Sequence, residues 1–167
     1  MKDILVTGGL GYIGSHTVVQ LIEKNYNVTI VDNLSNSKIF ILDNIEKITG
    51  KRPNYFNIDL TDYNKINSSF SGKKFDGVIH FAAFKSVSES VNHPEKYYHN
   101  NLNSLLNVLR WMKENNNKNI IFSSSCTVYG QPDKLPVSEK SPFKLAESPY
   151  ARTKQISENI IKDCTNS

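Results

Sequence analysis

The chain has 167 residues, enough for one domain around a single core, and its 38% hydrophobic and 22% charged residues exclude a disordered class. The net charge of +4 comes from 20 Lys and Arg against 16 Asp and Glu, scattered but for a Lys73-Lys74 doublet, so no basic stripe marks a nucleic-acid partner. No apolar run approaches the length of a membrane span, and Lys2-Asp3 leads straight into a strand-like run, unlike a secretory signal.

Short apolar runs alternate with longer amphipathic stretches. Ile4, Leu5 and Val6 read as the first strand, and 13–24 as a helix with Ile13, Val18, Leu21 and Ile22 on its apolar face. Val28 to Val31 read as a second strand. The stretch 37–49 spaces Ile41, Leu42, Ile45 and Ile48 as a helix does. A third strand is expected at 55–58, a fourth at 78–81 and a fifth at 120–122. Their β-branched content suits strands buried on both faces. Between the last two, 94–116 places Leu102, Leu105, Leu106, Leu109 and Met112 at helical spacing, with Trp111 and these leucines as core and the asparagine run 115–117 as its stop. The stretch 131–148, with Pro132, Pro136 and Pro142, reads as a long loop of the kind that carries function. A last helix, 149–163, starts with Ser148 as N-cap and Pro149 in the first turn. Strand–helix alternation of this kind predicts an α/β fold, a doubly wound parallel sheet with helices on both faces.

Three glycines, Gly8, Gly11 and Gly14, stand three apart between the first strand and the first helix, in LVTGGLGYIGSH. A tight strand-to-helix turn needs unusual φ, a pyrophosphate must approach the backbone closely, and the helix start offers free N–H groups to phosphates. Eighteen residues past Gly14, Asp32 ends the second strand, where a carboxylate can accept both ribose hydroxyls of an adenosine. It would repel a 2′-phosphate, so NAD is favoured over NADP.

Tyr150 and Lys154 lie four apart on one face of the last helix. A free phenol is a poor base at neutral pH, and a nearby ammonium favours the phenolate. The expected result is a general base for a sugar alcohol. Ser123, Ser124 and Ser125 end the fifth strand, and in doubly wound sheets ligands bind at the carboxyl ends of strands. A serine hydroxyl there can hold the oxygen that the phenol deprotonates. His16, His80, His93 and His99 show no metal-ligand spacing, and His80, within a strand, reads as packed rather than catalytic. Cys126 and Cys164 lie far apart without CxxC spacing. A reduced, cytoplasmic chain is the simple reading and a disulfide the alternative.

Together the segments TGGLGYIGSHT, DNLSNS, VIHFAAFKSVSESV, YYHNNL, FSSSCTVYG and SPYARTK resemble the extended short-chain dehydrogenases and, within them, the nucleotide-sugar 4-epimerases. The likeness runs nearly end to end. It implies an NAD cradle of Gly8, Gly11, Tyr12, Ile13 and Gly14, with Asp32, Asn33, Asn36 and Ser37 on the adenosine half. It further implies Asp59 and Leu60 beside the adenine, and Phe81, Ala82, Lys85 and Asn100 along the rest of the cofactor. Ser125, Tyr150 and Lys154 become the catalytic set, with Tyr150 and Lys154 also touching the cofactor, Ser123 and Ser124 nearby, and no metal. The implied reaction interconverts UDP-galactose and UDP-glucose by transient oxidation at sugar carbon 4. A UDP-hexose is the implied small-molecule partner.

Related 4,6-dehydratases resemble this family with acidic residues after the Ser/Thr position, where this chain has Cys126 and Thr127. Uronic-acid epimerases and decarboxylases of the same superfamily stay open as alternatives, as does a non-catalytic NAD-binding fragment. Ala83 and Ala151 stand where the family has glycine. The family's chain continues past the Tyr/Lys helix into a smaller substrate-gripping domain. Residues 1–167 are therefore expected to be an incomplete NAD-binding Rossmann domain, an amino-terminal portion with that substrate domain absent and one sheet edge open. The long helix over 94–116 offers a face on which a second copy could pack as a homodimer.

Overall fold

The computed structural model describes residues 1–165. Five parallel strands form one sheet: β1 (Asp3–Thr7), β2 (Asn27–Val31), β3 (Asn54–Phe56), β4 (Gly77–His80) and β5 (Ile120–Phe122). Their spatial order is β3-β2-β1-β4-β5. The helices are α1 (Tyr12–Glu23), α2 (Phe40–Thr49), α3 (Tyr63–Phe70), α4 (Val87–Asn92), α5 (Pro94–Glu114) and α6 (Pro149–Thr165). A 3-10 turn spans Cys126–Tyr129.

Side chains of a strand alternate between faces, and here the alternation divides the core in two. Ile4 and Val6 of β1, Val28 and Ile30 of β2 and Ile79 of β4 face one way, onto Val18 and Ile22 of α1 and Leu42 and Ile45 of α2. Leu5, Val31 and Val78 face the other way, onto Ile66 and Phe70 of α3 and Val108, Trp111 and Met112 of α5. The Trp111 indole donates to the Phe70 carbonyl at 3.2 Å, so its one polar atom is satisfied inside an aromatic cluster with Phe70 and Phe75. Helices on both faces of an open parallel sheet in this order define the Rossmann-like, doubly wound architecture.

Several expectations need correction. Strands β1, β2 and β4 are covered on both faces, but the outer strands are not: β3 is part-exposed and Ile121 of β5 is 65% exposed. An outer strand has a neighbour on one side only. The third and fourth strands each stop before the expected end, at Phe56 and His80, because Ile58 and Phe81 already belong to loops that turn over the sheet edge. Leu105, Trp111 and Met112 are core, whereas Leu102 and Leu109 are half-buried and Leu106 is exposed. Ile13 and Ile48 are also exposed, off the buried stripes of α1 and α2.

Helices α3 and α4 were not legible from spacing. Each is short, and each is opened by a side-chain cap. Asp62 accepts from the Lys65 N–H at 3.2 Å, and the Ser86 hydroxyl accepts from the Glu89 N–H at 3.2 Å. Ser148 caps α6 as expected, accepting from the Ala151 N–H at 3.1 Å. Loop 131–148 is pinned to that helix. The Gln155 amide donates to the carbonyls of Val128 and Lys144, at 2.7 and 2.8 Å. Among the described residues, no helix is long and apolar enough to cross a membrane.

Candidate active site

The chain reverses its winding between β1 and β4, and a crevice opens there at the carboxyl ends of the strands. It is a cleft of about 390 Å³, lined by the residues that follow all five strands.

At one end lies the turn from β1 to α1. Gly8 sits at φ +66, and a Cβ on it would come within 2.8 Å of the Ala82 backbone nitrogen. Only glycine allows the loops after β1 and β4 to meet this closely. At Gly14 a Cβ would lie 2.2 Å from the Gly8 carbonyl oxygen, so the first turn of α1 packs directly on the loop. No side chain caps this helix end. Its first-turn N–H groups and positive dipole end therefore face the cleft, as an anion site requires.

Asp32 follows β2 and is almost fully buried. Its carboxylate accepts from the Leu10 N–H at 3.0 Å, the Leu34 N–H at 2.9 Å and the Ser37 hydroxyl at 2.7 Å. It thus ties the glycine loop to the loop after β2. One oxygen takes two of these donors and the other a single one, which leaves acceptor capacity toward the cleft.

Asp59 stands at the adjoining end. Burial pushes its carboxyl up, but the Thr61 hydroxyl and N–H, the Asn33 amide and the nearby Lys65 outweigh that and hold it below the ordinary carboxylate range.

The opposite end is built on α6. Tyr150 and Lys154 are 9% and 4% exposed, one helical turn apart. The Lys154 ammonium donates to the Ser123 carbonyl at 2.7 Å. It lies 4.6 Å from the Phe122 ring centre and 5.9 Å from that of Tyr150. Loss of water lowers its pKa from 10.5 to about 8, and the Glu158 carboxylate opposes that drop. The Ser125 hydroxyl accepts from the Thr127 N–H at 3.3 Å and the Thr127 hydroxyl at 3.0 Å, at the start of the 3-10 turn.

His80 is packed, as its strand position suggested: its ring stacks on Phe122 and its Nδ1 pairs with the Thr7 hydroxyl at 2.8 Å. Burial, and then the Lys154 charge, lower its pKa to about 3, so it is neutral. Behind the cleft, Asn101 binds the N–H and C=O of Phe84 and the Thr153 hydroxyl, joining the loop after β4 to α5 and α6.

All of the residues singled out from the sequence line this one cleft, from Gly8, Gly11, Tyr12, Ile13 and Gly14 through Asp32, Asn33, Asn36, Ser37, Asp59 and Leu60 to Phe81, Ala82, Lys85, Asn100, Ser125, Tyr150 and Lys154. The wall also includes Val31, Ser35, Ile58, Phe84 and Ser104. The apolar members Val31 and Ile58 look like plain core in the sequence. Asn101 and Glu158 were missed too, because a polar residue's partner on another element leaves no local signal. Cys126 and Cys164 are both exposed.

A glycine turn from strand to helix, an acidic strand end and a Ser/Tyr/Lys cluster thus meet in one crevice at the carboxyl rim of a parallel sheet, the place where doubly wound folds take their ligands. A family model described as GDP-mannose 4,6 dehydratase matches residues 5–167, and the chain belongs to that family. It is 47% identical over 166 residues to UDP-glucose 4-epimerase uge1 of Schizosaccharomyces pombe, covering 97% of this chain and 46% of that protein. It is 45% identical over 170 residues to UDP-glucose 4-epimerase of Drosophila melanogaster, covering 98% and 49%. A UDP-glucose 4-epimerase from Bifidobacterium longum, solved in complex with NAD+ and UDP, superposes with a TM-score of 0.94 at 45% identity, over 96% of this chain and 48% of that one. The chain spans about half the length of the curated relatives it matches.

Proposed function

We propose that this chain is the NAD-binding, base-carrying part of a UDP-glucose 4-epimerase. The observation that carries the reading is that one cleft holds the glycine cradle, the acidic end of β2 and the buried Tyr150–Lys154 pair. Relatives named as UDP-glucose 4-epimerases support it, as do related structures solved with NAD+ and UDP or with NAD.

The residues fit the cofactor. A Cβ at Gly8 or Gly14 would close the cradle against backbone, and the uncapped start of α1 suits the pyrophosphate. Asp32 would take ribose hydroxyls, with Asn33, Asn36 and Ser37 beside them, and Asp59 and Leu60 would flank the adenine. Phe81, Ala82, Lys85 and Asn100 would line the remainder. When bound, NAD supplies a hydride acceptor that later returns the hydride.

This chain's own residues would handle the proton. Tyr150 takes it from the sugar 4-hydroxyl, and the Ser125 hydroxyl holds the same oxygen. Lys154 supports both from below, as an ammonium at neutral pH. The sugar product keeps its oxidation state, so the reaction is an isomerisation.

Among the described residues lining the cleft, the acids are Asp32 and Asp59, both at the end away from Tyr150. A 4,6-elimination would need an acid–base carboxyl beside Ser125, where Cys126 and Thr127 stand, and this favours epimerisation over dehydration. The reading includes a homodimer packed on the outer face of α5, and cytoplasmic residence with both thiols reduced.

The test uses the full-length gene product with UDP-galactose. We expect UDP-glucose to form without net release of reduced cofactor, and Tyr150→Phe to lower turnover by about three or more orders of magnitude with dinucleotide still bound. Activity confined to uronic-acid substrates would replace the epimerase reading with its relative, and near-normal turnover of Tyr150→Phe would remove the phenol as base.

A further inference from the structure

Lys154 is not the last member of its helix face. Glu158 follows one turn later, so Tyr150, Lys154 and Glu158 form a column along α6. The Ser124 hydroxyl donates to Glu158 Oε1. The Lys154 ammonium donates to the carbonyl of Ser123 at 2.7 Å. Two consecutive residues of the serine run are therefore tied to two consecutive members of the column. Ser125, the next residue, lines the same cleft as Tyr150.

The column also balances charge. Each group around Lys154 can be named. From β4, His80 is neutral and stacked behind Phe122. From β5, the Phe122 ring offers a π face. The serine run offers hydroxyls and a carbonyl, and α6 itself offers Tyr150 and Glu158. Glu158 is thus the anion that faces the buried ammonium, and it is half-buried itself.

We propose that Glu158 is a positioning residue for the Ser125–Tyr150–Lys154 set, holding the serine run against α6 through the Ser124 hydroxyl and supplying the counter-charge to the Lys154 ammonium. The two tasks are separable by mutation. Glu158→Gln keeps an acceptor for Ser124 and removes the charge. Ser124→Ala removes the tie and keeps the charge.

The inference rests on the epimerase reading for its activity measurements and not for its titration. In the full-length gene product, NMR of labelled lysine side chains follows the Lys154 ammonium directly. The wild-type midpoint is expected at about 8. In Glu158→Gln it moves down by about half a unit. UDP-galactose turnover then falls about twofold near pH 8 and hardly changes a unit and a half lower, where both lysines are charged. Glu158→Asp restores the charge and brings the midpoint back toward 8. Ser124→Ala leaves the midpoint in place and lowers kcat about three- to tenfold with KM unchanged, because only the serine run has lost its anchor.

A folded Glu158→Gln protein with an unmoved midpoint overturns the proposal, and so does Ser124→Ala at full turnover. Should the wild-type protein act on no UDP-hexose, the epimerase reading fails while the lysine titration still decides the role of the Glu158 charge. If Glu158→Gln does not fold, Glu158→Ala replaces it as the charge-removing variant and Ser124→Ala tests the tie; an unmoved midpoint in the first, or full turnover in the second, overturns the role.

Discussion

Lys154 exchanges bulk water for a carbonyl, two aromatic rings and a carboxylate, and the exchange is incomplete. Its folded pKa of about 8 lies below the ordinary 10.5. Below pH 8 both folded and unfolded chains hold the proton, and the folded state bears the cost of the buried charge. Between about 8 and 10.5 the unfolded chain binds the proton more tightly, so stability rises with pH across that window. The cost is on the order of 3 kcal/mol, at about 1.4 kcal/mol per unit. Lys154→Met should therefore raise the urea midpoint at pH 7 and flatten the alkaline rise, while abolishing turnover in the full-length protein. Equilibrium unfolding at a series of pH values checks the first two outcomes, and a variant less stable than wild type at neutral pH would contradict them. Residues of this kind are legible in sequence by type and spacing: Tyr150 and Lys154 announced themselves four apart. Glu158 did not, because only the folded chain brings Ser124 to it. Asp32 was legible as a ribose acceptor, but its three protein donors, Leu10, Leu34 and Ser37, could not be read from a strand end.

Elements show the same division. Long periodic segments were readable, and α5 (Pro94–Glu114) began at the expected proline. Helices α3 and α4 were not, since each buries only one or two residues and leans on a cap. The capping residues, Asp62 and Ser86 with Glu89 three positions on, were the available signal. The β1–α1 junction offers the sharpest test at this scale. A methyl at Gly14 would meet the Gly8 carbonyl oxygen at 2.2 Å, and that neighbour is backbone. Gly14→Ala should push α1 away from the loop, cost about 2–4 kcal/mol and weaken dinucleotide binding at least tenfold. Thermal unfolding and retained nucleotide after purification measure both effects. By contrast, Gly50→Ala, at an open α2 terminus with φ +69, should cost only about 1 kcal/mol and leave binding intact.

At the scale of the whole molecule, the sheet puts chemistry on one rim and packing in two layers beneath it. The doubly wound parallel sheet and the site on its carboxyl rim followed from alternating strand and helix signals, whereas the strand order and the exposure of the outer strands did not. Burial of an outer strand depends on what lies beside it, which no run of residues encodes. That flank has a practical consequence for anyone handling the 167-residue polypeptide. Among the described residues no strand pairs with the outer edge of β5, which presents Ile121 and a row of backbone amide and carbonyl groups to its surroundings. Concentrated preparations should therefore clump through side-by-side annealing of identical chains, and Ile121→Lys should keep them dispersed in light scattering without moving the melting temperature by more than about two degrees.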